Sequence, residues 1–66
     1  MVSLLERAVE ELIGYMQKYE RLDEDEARRL VYEEWEMVEE MIESGPVGSP
    51  LYRMIADELL YLNLVA

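Results

Sequence analysis

The chemistry available to this 66-residue chain is almost entirely carboxylate chemistry. Sixteen residues are acidic, six are basic, and there is neither histidine nor cysteine. Without histidine the commonest general base and the commonest transition-metal ligand are missing. Without cysteine there is no disulfide framework, no thiolate zinc site and no sulfur nucleophile. What remains is glutamate and aspartate, which serve as acid–base groups or as oxygen ligands for Mg²⁺ and Mn²⁺.

The densest run of such groups is Glu39-Glu40-Met41-Ile42-Glu43. Glu33/Glu36 and Glu36/Glu40 add pairs at i,i+3 and i,i+4, which share a helix face. The E-x-x-E string resembles the first half of the metal motif of MazG-like all-α nucleotide pyrophosphohydrolases. That resemblance spans five residues and implies carboxylate–metal hydrolysis of nucleotides, a distant third reading of function. The family also needs an E-x-x-D on a neighbouring helix, and Arg53-Met54-Ile55-Ala56-Asp57 lacks its glutamate. A metal site needs convergent ligands, whereas Glu33, Glu36, Glu40 and Glu43 form a row facing water. We therefore expect a solvated acidic face with no catalytic residue, no metal and no cofactor. Two other segments fail on their own terms. Asp23-Glu24-Asp25-Glu26 has D-x-D spacing without the glycine or distal glutamate of a calcium loop. Gly45-Pro46-Val47-Gly48 lacks the lysine of a phosphate loop.

The elements that carry these residues are helical. The periodicity predicts an all-α chain of three helices, over about 4–21, 24–43 and 50–64, forming one domain over 1–66. Ser3 and Glu6 make a capping box for the first helix, and Asp23 with Glu26 makes another for the second. Spaced at about 100° per residue, Leu4, Leu5, Ala8, Val9, Leu12, Ile13, Tyr15, Met16 and Tyr19 fill one half of the first helix. In the second, Ala27, Leu30, Val31, Trp35, Met37, Val38, Met41 and Ile42 form an apolar arc opposite the glutamates. Gly45 followed by Pro46 reads as a left-handed C-cap, and Ser49-Pro50 as the N-cap and first residue of the third helix.

Glu34 falls near the middle of the second helix's apolar arc. A dry carboxylate there would have a raised pKa and could act as a ligand-sensing acid, but the favoured expectation is an ion pair with Arg53, extended to Asp57 at i,i+4, or a position at the edge of an interface. The third helix is apolar all round, which normally means buried all round. Two neighbours of this length cannot enclose a third helix, so oligomerisation, most simply a twofold dimer, is expected to complete the bundle. Tyr52, Ile55, Leu59, Leu60, Tyr61 and Leu64 are the expected self-interface. Trp35, at the rim of the second helix, suits either that interface or ordinary core packing.

Net charge settles which partners are excluded. At −10, a general nucleic-acid binder or a protein docked on anionic membrane is ruled out. Glu6 and Arg7 interrupt the apolar core a signal peptide would need, and the apolar-rich stretch 51–65 carries Arg53, Asp57 and Glu58. A cytoplasmic protein of full natural length is the expectation. Thirteen Glu against one Gln lean toward a thermophilic source, while five Met pull the other way. The leading expectation is thus a non-catalytic, homo-oligomeric protein–protein interaction module acting as an adaptor, assembly or regulatory protein. The alternative is an acidic inhibitor or antitoxin-like mimic of nucleic acid that blocks a basic site on a partner.

Overall fold

Two side-chain caps fix where the first half of the chain becomes helical. Ser3 accepts the amide of Glu6 at 3.1 Å, and Asp23 accepts that of Glu26 at 2.8 Å. The return arm of the first box differs from expectation, because Glu6 Oε1 meets the Ser3 hydroxyl at 3.4 Å rather than a backbone amide. The computed structural model describes residues 3–65. It contains α1 (Leu4–Tyr19), α2 (Glu24–Glu33), α3 (Trp35–Ser44) and α4 (Ser49–Val65), with no strand among the described residues. The all-α expectation holds, but there are four helices rather than three.

The extra boundary lies at Glu34. Its backbone, at φ −120° and ψ 42°, leaves the helical region and separates α2 from α3. A straight helix through this point would aim Glu34 into the apolar arc. Burying an unpaired carboxylate costs several kcal/mol, whereas a break forfeits one or two backbone hydrogen bonds at about 1 kcal/mol each. The break is the cheaper solution. It leaves Glu34 exposed while Ala27, Leu30 and Val31 on one side, and Val38 and Ile42 on the other, reach one core.

That core is supplied by all four helices. α1 contributes Ala8, Val9, Leu12, Ile13 and Met16, and α4 contributes Tyr52, Ile55, Ala56 and Leu59. No charged side chain is buried among the described residues. The Cα radius of gyration, 10.9 Å, matches the roughly 11 Å expected for a compact chain of this length. The fourth element supplies the wall that two neighbours could not, so the chain buries much of α4 by itself.

Two local expectations need correction. Gly45 ends α3 in an extended conformation (φ −140°, ψ 173°) rather than a left-handed one. The last turn of α3 instead sends the Ser44 hydroxyl to the Glu40 carbonyl at 2.6 Å. Ser49 lies inside α4 rather than capping it, and the Gly48 carbonyl accepts the Tyr52 amide at 3.0 Å. The left-handed residue is Arg21, with φ 58°, just beyond the end of α1. A residue with a Cβ pays about 1–2 kcal/mol there, against 0.5–1 kcal/mol of extra chain entropy for glycine. Arg21→Gly is therefore expected to stabilise the fold by up to about 1 kcal/mol in urea melts. A destabilised variant would show that the Arg21 side chain contributes more than its backbone costs.

Candidate functional site

Surface polar groups tie α1 to its neighbours. Arg28 on α2 places Nη1 and Nη2 each 2.9 Å from the two oxygens of Glu10 on α1, and its Nε lies 3.0 Å from Glu24. Hydrogen bonding from Arg28 holds the Glu10 carboxyl below its ordinary range, and the same bond raises the guanidinium further. Arg29 bridges Glu26 at 2.7 Å and Glu33 at 3.0 Å along α2. Such exposed pairs fix geometry more than they add stability.

On the other side, Tyr52 of α4 is buried and donates its hydroxyl to Glu11 Oε1 of α1 at 2.6 Å. Burial, and then this hydrogen bond to an anion, push the phenol well above its usual value of 10.0. The folded chain keeps the proton at pH values where the unfolded chain releases it. The resulting stability is fully present below pH 10 and is lost as pH rises beyond it. Tyr52→Phe should cost about 1 kcal/mol at neutral pH. The gap between its melting temperature and that of the wild type should narrow as alkali is added. A gap constant with pH would count against a titrating Tyr52.

The sequence-predicted interface residues divide. Tyr52, Ile55 and Leu59 belong to the core, because α4 turns that side to the other three helices. Trp35 and Leu60 are half-buried against the core. Tyr61 and Leu64 are open to solvent, at 59% and 82% exposure. Two residues not singled out from the sequence join them, Met54 at 60% and Val65 at 61%. At about 100° per residue, Pro50, Met54, Tyr61 and Val65 fall within a narrow arc of α4, with Leu64 at its border. The i,i+7 spacing of Met54 and Tyr61 and the i,i+3 spacing of Tyr61 and Leu64 was the available signal, with Asp57 standing in the same row.

The expected ion pair of Glu34, Arg53 and Asp57 does not form. All three side chains are exposed, and none is in a salt bridge among the described residues. Glu34 borders a small hollow beside Leu59, Leu62 and Asn63, whereas Arg53 faces Tyr15 and Tyr19 near the start of α4. Six or more helical residues, at 1.5 Å each, put about 9 Å or more between those levels. The acidic row is divided by the same break. Glu33 ends α2 and is held by Arg29, leaving Glu36, Glu40 and Glu43 exposed along α3. Among the described residues no three acidic groups converge on a point that could hold a metal ion.

Surface depressions lie at both ends of α3. One, about 390 Å³, lies under the α3–α4 connection between Met41, Pro46, Pro50, Leu51 and Met54. The second is built around Tyr32 and Trp35, whose rings stack at 5.3 Å and 24° where α2 gives way to α3. Tyr32, 54% exposed, escaped the sequence reading, although its i,i+3 spacing from Trp35 was visible. No helix among the described residues is long and apolar enough to cross a membrane. No family model, curated protein or solved structure matches the chain, so function has to be argued from these surfaces.

Proposed function

We propose that this protein is a non-catalytic, homo-oligomeric interaction module of the cytoplasm whose self-contact is the outer face of α4. The observation that carries the reading is the exposed row Met54, Tyr61, Leu64 and Val65 on a helix whose inner face is already packed. These side chains add nothing to the chain's own core, and apolar residues left in water along one helix face, here interrupted by Asp57, are a characteristic of a contact surface. A twofold pairing needs only one such self-complementary patch. The α3–α4 depression extends the row, since Pro50 and Met54 belong to both. An adaptor, assembly or regulatory role follows from an interface without a reaction centre.

Molar mass by light scattering over about a hundredfold dilution tests this directly. Twice the 7.8 kDa chain mass, or more, persisting at the low end supports the reading. A monomer throughout would overturn it.

A second reading, an acidic ligand for a basic partner protein, is supported by the net charge of −10 and the unpaired glutamates of α3. Complementary charge steers such encounters and makes them salt-sensitive. Binding of basic proteins that is indifferent to salt would rule it out.

A further inference from the structure

The break at Glu34 has an outward consequence besides keeping a carboxylate out of the core. It ends α2 at Glu33, one residue after Tyr32, and starts α3 on Trp35, so two aromatic rings stand together at the corner. Both rings line two shallow hollows. One, about 270 Å³, is closed on its far side by Glu6, Val9 and Glu10 of α1. The other, about 440 Å³, is bordered by Glu33, Glu34, Glu36 and Met37. Arg28 and Arg29 already occupy Glu10 and Glu33, but Glu6, Glu34 and Glu36 are in no salt bridge among the described residues. An exposed aromatic shelf is thus rimmed by uncompensated negative charge.

We propose that the Tyr32–Trp35 shelf receives an arginine side chain from a basic segment of a partner protein. This deepens the basic-partner reading by giving it a place on the molecule, and it is independent of self-association through α4. The chemistry of the occupant follows from the two features together. Tryptophan and tyrosine faces attract a cation laid over them. A planar guanidinium stacks on such rings while its edge hydrogen-bonds to carboxylates, which an ammonium group does less well. A neutral apolar segment would gain the rings but leave the glutamates unpaired. An acidic segment would be repelled.

Trp35 is the chain's single tryptophan, so its emission reports on the site without a label. The experiment titrates the intact protein with a hexa-arginine peptide at low salt. A saturable change in Trp35 emission is expected. Tyr32→Ala should weaken binding about fivefold, the size of one exposed cation–π contact, and Tyr32→Phe should retain it. Tyr32 is 54% exposed, and circular dichroism checks that each variant stays folded. The double change Glu34→Gln with Glu36→Gln should weaken binding more than Glu40→Gln with Glu43→Gln, although both remove the same charge. A hexa-lysine peptide should bind more weakly than hexa-arginine. Equal losses in the two glutamine pairs, or no loss in Tyr32→Ala, would overturn the site while leaving the basic-partner reading standing. Equal affinity for the two peptides would overturn the choice of arginine. Absence of any binding at low salt would overturn the site and the basic-partner reading together.

Discussion

Leu12→Ala should lower the melting temperature by about 10 °C or more and leave part of the chain unfolded at room temperature. Leu12 is 0% exposed at the centre of α1's inner face, among residues from the other three helices. Removing a buried leucine side chain to Cβ costs about 2–5 kcal/mol, since the cavity collapses only partly. A chain of this size has a total stability of roughly 3–10 kcal/mol, and 1 kcal/mol shifts its melting point by about 4–8 °C. Leu4→Ala on the same helix is the matching control. Leu4 is 81% exposed, so its truncation should move stability by no more than about 0.5 kcal/mol. Thermal melts in which the two variants fell together would mean that α1 is packed on a different face.

The second large effect concerns association. If the proposed self-contact through α4 holds, Tyr61→Glu should give a monomeric mass in light scattering while changing the stability of the single chain by less than about 0.5 kcal/mol. Leu60 and Tyr61 stand side by side in the self-interface expected from the sequence. The fold separates them. Leu60 is half-buried against the core, so a carboxylate there is desolvated on folding and should destabilise the chain itself. Tyr61 points away, and a new charge on an already acidic chain acts only where two copies meet. A Tyr61→Glu protein that keeps its oligomeric mass would move the self-contact away from α4. One that unfolds would mean that the outer row belongs to the fold.

The starts of the first two helices were legible in the sequence, whereas the local signals at Gly45 and Ser49 were not borne out. Ser3 and Asp23 cap where their side chains can reach an amide three residues on, and no distant contact competes with that geometry. The break at Glu34 was not legible as a break, although its cause was. A single carboxylate inside an apolar arc could be resolved by pairing it, by covering it or by turning the chain. Only the packed positions of α1 and α4 decide among those options. The same error propagated to the interface. With three helices, every apolar residue of the last one needed an outside partner, and Tyr52, Ile55 and Leu59 were assigned accordingly. With four, those residues close the core and the outer row shifts to Met54, Tyr61, Leu64 and Val65. Tyr32 was missed for a related reason, because on a continuous helix it is one more residue rather than the corner partner of Trp35.

Dividing one long helix into α2 and α3 also sets how the chain acquires its structure in time. Each piece is ten residues long, below the roughly 12–15 residues at which an isolated helix becomes even marginal in water. α1 and α4, at 16 and 17 residues, can form transient helix before they dock. The middle of the chain can become helical only by condensing onto them. Its amide hydrogens should accordingly share one opening free energy as a cooperative unit rather than exchange turn by turn.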